Sequence, residues 1–521
     1  MRPSRKALSV TAIGGLLALV ACSPGSAGKV DAAGAGGTAA PAGGDLVLAR
    51  ADEPSSLIPS VPTDNASIWT MEEIYDTLLV PSVDGLKLEP SLATKWVQSP
   101  DKLSWTFTLR DGATFSNGQP VTSADVKFSI DQNRKQDAPF YFLDAVISDI
   151  KTPDPKTIVL RTKVPWSPLP STMALYANSI VPDKYGGKSA EEFGSAPIGS
   201  GPFAFDHWTK GSELKLVKNP KYWDAGKPKL DSVTFTVVAD SNTRSTQLAG
   251  GQSHINEYPP YSTIKGLQAQ PQVKVDPFPS SEVDYFGMNT SKKPFNDVSV
   301  RRAISQAIDK EAIRSAVLFG NGEVATTFLS PATWGHSTAA GPTFDVAAAK
   351  ATLAKSAYPD GFKTTLVTAA GNANQNSIAQ LIQSDLAKIG IQVTLQTLDP
   401  SALRDAKKAG NYDMGLGLYT TDVIDPDEIA RFAGTNAGGS DLLYTFFKSA
   451  ELTKLADAAS SDEDQATRKK SYDKMQEIIL EQVPYVPLYY APSVYSYSKK
   501  VQGFHPGATG NYFLKNVSLA P

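Results

Sequence analysis

Residues 45–521 read as an α/β protein too long for a single core. Short alternating apolar runs, the mark of strands, are interleaved with apolar stripes at helical spacing, and no fixed-period repeat runs through them. The segment 364–395 reads as strand, helix and strand, a unit whose strands pair in parallel through a right-handed crossover. Length adds the third observation: one hydrophobic core does not organise so long a chain, so two or three lobes are expected. A content of 41% hydrophobic and 20% charged residues is globular.

The N-terminus reads as a targeting segment. Arg2, Arg5 and Lys6 precede an apolar run from Ala7 to Ala21, too short for a comfortable membrane span, and Leu19-Val20-Ala21-Cys22 follows. This is a secretory signal, and its last four residues resemble the lipobox of bacterial lipoproteins. The resemblance implies cleavage before Cys22 and diacylglycerol on its sulfur, with a second acyl chain needed for firm anchoring. Cys22 is the only cysteine, so no intramolecular disulfide can form. Ser23 to Gly44 is almost all Gly, Ala, Ser, Pro and Thr, a composition expected to remain a flexible tether spanning about 25 Å on average. The formal net charge is −3, and losing three cations with the signal takes it to about −6, which gives no electrostatic reason to bind nucleic acid.

The elements then follow in order. Leu103 to Leu109 predicts a strand with Leu103, Trp105, Phe107 and Leu109 on one face, and Arg110-Asp111-Gly112 and Asn117-Gly118 predict turns. Leu214 to Val217 and Val233 to Val238 are further strands. Asp297 to Phe319 predicts one helix, with Asp297 as cap, Val300, Ala303, Ile304, Ala307 and Ile308 as its stripe, and Gly320 as its stop. Thr364 to Thr368, Asn376 to Ile389 and Ile391 to Leu395 form the strand, helix, strand unit, with Gly390 closing its helix. Tyr412 to Tyr419 is a strand. Thr467 to Gln482 is a helix stopped by Pro484, and Val486 to Tyr490 is an apolar strand.

Catalytic signatures are absent. His207, His254, His336 and His505 lack a close Cys or His companion at metal-ligand spacing. There is no G-x-S-x-G elbow, no phosphate loop and no H-E-x-x-H helix. Ser-x-x-Lys recurs from Ser99, Ser148, Ser212 and Ser262 with no Lys-Thr-Gly, as chance would place it. No cofactor is implied.

Six stretches in order resemble the bacterial extracellular solute-binding proteins of family 5, which feed peptide and nickel ABC importers: 110–129 (RDGATFSNGQPVTSADVKFS), 198–203 (IGSGPF), 219–235 (NPKYWDAGKPKLDSVTF), 288–311 (MNTSKKPFNDVSVRRAISQAIDKE), 358–362 (YPDGF) and 483–490 (VPYVPLYY). The resemblance implies a two-lobed, periplasmic-binding-protein-like clamshell with three domains. Its implied layout is a lipoprotein signal at 1–21, the lipidated Cys22 and tether at 22–44, a discontinuous domain I at 45–75, 198–287 and 487–521, an inserted domain II at 76–197, and domain III at 288–486. It also implies an extracytoplasmic, lipid-anchored monomer that binds a peptide or similar solute and hands it to an ABC permease driven by a separate ATPase. A binding protein coupled to peptide sensing and a secreted hydrolase are the alternatives. Sparse histidines speak against nickel as cargo.

The resemblance also supplies site residues. Ligands gather past the carboxyl ends of strands in α/β sheets, and the strand ending at Tyr419 runs into Thr420, Thr421 and Asp422. In peptide-binding relatives an aromatic, two residues and an Asp occupy these positions, and that Asp holds the peptide ammonium. Tyr419 and Asp422 match, Tyr419 standing where tryptophan is usual; the alternative role for Asp422 is capping the turn before Asp425-Pro426. Relatives that bind dipeptides carry an Arg in the loop matched by 369–375, and this chain has none, which argues against a strict dipeptide site of that design. Trp334, Tyr285 and Tyr489 match cleft-facing positions, with core packing as their alternative role, and Asn65 is a further candidate.

Overall fold

The computed structural model describes residues 43–435 and 443–521. The signal peptide, Cys22 and the tether as far as residue 42 lie outside them. Three main sheets organise the described chain. The first has seven strands, in the spatial order Val273–Phe278, Ser493–Ser498, Ile255–Glu257, Asp45–Arg50, Ser232–Val237, Glu213–Lys218 and Phe203–Thr209. Its central strand, Asp45–Arg50, runs parallel to both neighbours and buries Leu46 and Leu48 completely. At its end the buried Arg50 donates from Nη1 to Ala66 O at 3.0 Å and Thr70 Oγ1 at 2.9 Å, while its guanidinium lies over the Phe235 ring. That one side chain ties the sheet to the helix Asn65–Ile74, which Asp64 caps through Ser67 N.

A four-stranded antiparallel sheet, Ala93–Gln98, Ser104–Leu109, Thr157–Thr162 and Ile147–Asp154, shares this lobe. Its alternation is the expected one: Trp105, Phe107 and Leu109 are buried against the helix Ser123–Asn133. We call these two sheets with their helices lobe one.

Lobe two is built on a six-stranded mixed sheet in the order Glu323–Val324, Tyr485–Tyr490, Val283–Met288, Met414–Tyr419, Lys363–Ala369 and Gln392–Leu398. The predicted strand, helix, strand unit is here: Lys363–Ala369 pairs in parallel with Gln392–Leu398, and the helix Ala373–Ala387 connects them. Gly390 takes φ +86°, a left-handed turn that releases the chain from the helix. The single helix expected over 297–319 is two, Val298–Ala307 and Lys310–Leu318. Ile308 is extended, and Asp309 restarts the helix by accepting from Ala312 N at 2.9 Å, so a second capping side chain interrupts an otherwise continuous apolar stripe. Among the described residues no helix is long and apolar enough to cross a membrane.

The chain passes between the seven- and six-stranded sheets twice, at 279–282 and 491–492. The domain limits expected at 287/288 and 486/487 fall inside Val283–Met288 and Tyr485–Tyr490, both strands of the six-stranded sheet. Apolar pairing continues through both strands, so the crossings sit where pairing stops. Lobe two also touches the smaller sheet's part of lobe one: Ser167 N donates to Ser460 O at 2.7 Å, Phe142 meets Phe432 edge-on at 5.6 Å, and Arg431 lies over the Trp166 ring.

Candidate binding cleft

The strand Met414–Tyr419 reads MGLGLY, and each small residue answers a neighbour. Tyr285, on the adjacent strand, lies so close over Gly417 that a Cβ there would stand 2.6 Å from its phenol. The strand pairs along its whole length with Val283–Met288, but with Lys363–Ala369 only at Met414 and Gly415. Past Gly415 its second edge carries no strand among the described residues. Leu418 on that stretch is 56% exposed, the one exposed residue of a strand whose others are buried or half-buried. An unpaired strand edge is a template for another extended chain.

Beyond the edge, the loop 420–426 is held from both sides. Thr421 N donates to Ser281 Oγ at 3.1 Å, on one of the two lobe crossings. Asp425 receives both Arg468 Nη1 and Nη2, at 2.8 and 2.6 Å, in a buried bidentate pair, and Arg468 Nη2 also reaches the Tyr472 hydroxyl. Pro426 then opens the short helix Asp427–Phe432. Its Glu428 turns back, so that Oε2 accepts from Asp422 N at 3.0 Å and Val423 N at 3.4 Å, and the carboxyls of Glu428 and Asp422 are hydrogen-bonded to each other. Burial lifts both carboxyls above the usual carboxylate range, and the Asp422 charge raises Glu428 further. Two carboxyls in such contact share a proton and carry about one negative charge between them. Among the described residues no Lys or Arg neutralises it, unlike the charge of Asp425 three residues on.

Three cavities converge here. One, about 670 Å³, lies between the lobes and brings Asn65 of lobe one to Thr420 and Asp422 of lobe two, with Trp69, Tyr176 and Glu72 on its walls. A second, about 1600 Å³, runs from Tyr419, Thr420, Asp422 and Glu428 to the apolar Phe140, Phe142 and Trp166 of lobe one. The third, about 550 Å³, holds Tyr285 and Tyr489 with Leu418, Asn372, Asn374 and Gln375. In it Asp284 and Glu282 are hydrogen-bonded to each other and Asp284 to Tyr489; burial is the main force lifting both acids. The loop 369–375 thus brings amide side chains, not a cation, to that cavity.

The expected site residues divide accordingly. Asn65, Thr420 and Asp422 meet in the inter-lobe cavity. Tyr285 and Tyr489 stand together in the third. Tyr419 offers its backbone and ring base to the second, while its hydroxyl is turned away to Phe328 O at 2.6 Å. Trp334 lines none of the three; it packs edge-on against Tyr472 and under Arg468, on the side of the loop that holds Asp425. Sequence reasoning did not single out Glu428, Arg468 or Glu72. Glu428 had a signal: Asp425-Pro426 starts a helix, and an acid in its first turn points back at the preceding loop. Arg468 and Glu72 meet their partners only through tertiary packing.

The comparisons with known proteins agree with this geometry. The model of the bacterial extracellular solute-binding proteins, family 5 Middle, matches residues 87–441. A probable D,D-dipeptide-binding periplasmic protein, DdpA of Escherichia coli (strain K12), is 32% identical over 88% of this chain and 91% of its own. The periplasmic binding protein DppA of Helicobacter pylori, solved in complex with the peptide STSA, superposes with a TM-score of 0.78 at 30% identity, over 92% of this chain and 99% of that one. The binding protein AgaA of A. tumefaciens R10, solved with agropinic acid, gives the same TM-score and identity over the same shares. These relatives are solute-binding proteins and not enzymes, and the chain itself belongs to the bacterial extracellular solute-binding proteins of family 5.

Proposed function

We propose that the chain captures a peptide between its lobes, holds the peptide ammonium at Asp422 and Glu428, and lays the peptide backbone along the free edge at 417–419, past the Leu416 carbonyl that Lys407 Nζ occupies. The observation that carries this reading is the continuity of that edge with an acid pair that no Lys or Arg among the described residues neutralises. Main-chain pairing is indifferent to side chains, whereas a buried carboxylate pair selects a charged, hydrogen-bonding end group. The relatives solved with STSA and named for D,D-dipeptides support a peptide guest. The absence of a cation on the loop 369–375 favours a guest whose carboxylate is not gripped there. Agropinic acid in AgaA keeps non-peptide solutes in view.

The guest leaves unaltered, passed to an ABC permease whose ATPase is a separate chain. The protein acts as a monomer outside the cytoplasm, tethered by lipid on Cys22, in three parts: 45–75 with 198–287 and 487–521, 76–197, and 288–486, the crossings displaced to the ends of the strands named above. Sheet membership supports the division. Titration calorimetry with di- to hexapeptides tests the binding: free-amine peptides bind and N-acetylated ones lose most affinity, while silence across the whole panel would remove the peptide reading. Mass spectrometry of the membrane-extracted protein checks the anchor, by a lipid-sized increment on an N-terminal Cys22.

A further inference from the structure

The inter-lobe cavity carries an acid from each lobe, and only one of them is explained by an ammonium at Asp422. Glu72 lies on the helix Asn65–Ile74, which the buried Arg50 and the Asp64 cap fix to lobe one. Its Oε1 accepts from Asn511 Nδ2 at 3.1 Å. Its Oε2 is closed off from solvent and has no hydrogen-bond partner among the described residues. Glu72 lines both the 670 Å³ cavity and a side cavity of about 510 Å³ behind it, with Oε2 held just beneath the surface. The cation in that side cavity, Lys515, acts on Glu73 and Asp76 and offsets their burial in part, but it does not serve Glu72. Burial pushes Glu72 up to about 8, with Asn511 opposing. A buried oxygen of this kind is costly unless a donor reaches it.

The approach to Glu72 is aromatic. Trp69, Tyr176 and Phe513 line the same cavity, surfaces against which a hydrocarbon stem packs. Tyr176 lies within electrostatic reach of four acids, Asp422 and Glu428 of lobe two and Asp64 and Glu72 of lobe one.

We propose that Glu72 is a second cation-binding residue, and that the preferred guest is a peptide whose first residue is lysine or arginine, with its α-ammonium at Asp422 and Glu428 and its side-chain cation at Glu72. This rests on the peptide reading above and names its specificity. One guest residue then bridges acids on opposite lobes, so a basic first residue favours the closed state in a way a neutral one does not.

Titration calorimetry with Lys-Ala-Ala and norleucine-Ala-Ala, which share an α-ammonium and a stem of similar length, separates the two claims. The lysine peptide binds the native protein about tenfold or more tightly, as expected for a hydrogen bond to a charged group, and E72Q brings the ratio of the two affinities close to one. Equal affinities for the native protein, or a ratio unchanged in E72Q, overturn the assignment of Glu72 and leave the peptide reading standing. Failure of both peptides to bind the native protein overturns both. The native-protein comparison does not depend on how well E72Q folds.

Discussion

The two walls of the cleft are both acidic, yet they hold their carboxyls by different means. On lobe one, Glu72, Glu73 and Asp76 sit on and just past a regular helix and meet neutral donors: Glu73 accepts from Leu514 N at 2.8 Å and Asp76 from Trp223 Nε1 at 2.8 Å. On lobe two, Asp422 sits on a loop whose shape depends on a buried ion pair, Asp425 with Arg468. The difference teaches that neutral donors suffice to place the acids on and beside the lobe-one helix, whereas the lobe-two loop that carries Asp422 is fixed through an ion pair. Lobe two therefore holds its arginine on the acid facing inward, while Asp422 on the cleft side meets Glu428 instead.

Removing the pin should break the comparison most. Arg468→Ala strands Asp425 in a site where it is 3% exposed, and losing one partner of a buried pair costs about 3–5 kcal/mol. Urea denaturation followed by the signal of lobe two should show it, together with loss of peptide affinity; a cost under about 1 kcal/mol would mean the loop is held by other contacts. Asp422→Ala should leave the fold intact and reduce affinity for free-amine peptides by about 2–5 kcal/mol, with little effect on N-acetylated ones. Unchanged affinity would leave Asp422 only its turn-capping role.

Proton linkage sharpens the comparison next. In the folded chain burial pushes Glu72 and Glu73 up to about 8, Asp144 to about 7 and Asp76 to about 6. Unfolded, these groups release their protons near pH 4 to 4.5. Between those values the folded state binds more protons, so its stability is greatest on the acid side and falls as pH rises toward 8. The buried Lys310 and Lys407, pushed down to about 8, change the balance only above that pH. The melting temperature of the unliganded protein should accordingly be several degrees lower at pH 8 than at pH 5.5, and a flat profile would show that the helix-borne acids titrate normally. The smallest effect belongs to the contacts between the lobes. Phe142→Ala removes one edge-on pair worth about 0.5–1.5 kcal/mol beyond its burial, and should open the unliganded protein measurably by solution scattering.

Much of the framework was legible because it rests on local patterns. Trp105, Phe107 and Leu109 alternate, the helix stripe at Ile378 and Ile382 recurs at helical spacing, and Gly390 closes the unit between parallel strands. The break at Ile308-Asp309 was not, since the apolar stripe runs across it and a capping Asp competes with periodicity on equal terms. The site was readable where it lies on one strand end, from Tyr419 to Asp422. It was not readable where it depends on residues far away in sequence: Glu72 reaches the same cavity from 350 positions earlier, and Arg468 is placed by the packing of its helix on Trp334. No spacing rule encodes either.

The carbonyl that Ser167 engages across the lobes belongs to Ser460, the last residue of the helix Ala450–Ser460. Carbonyls at a helix terminus have no partner within their own helix, so water satisfies this one whenever the lobes part. Swinging open thus trades two hydrogen bonds, from Ser167 N and Oγ, for bonds to water of nearly equal worth, and this contact itself adds little resistance. Resistance to opening is then left to the ring contacts between the lobes, Phe142 on Phe432 and Arg431 over Trp166.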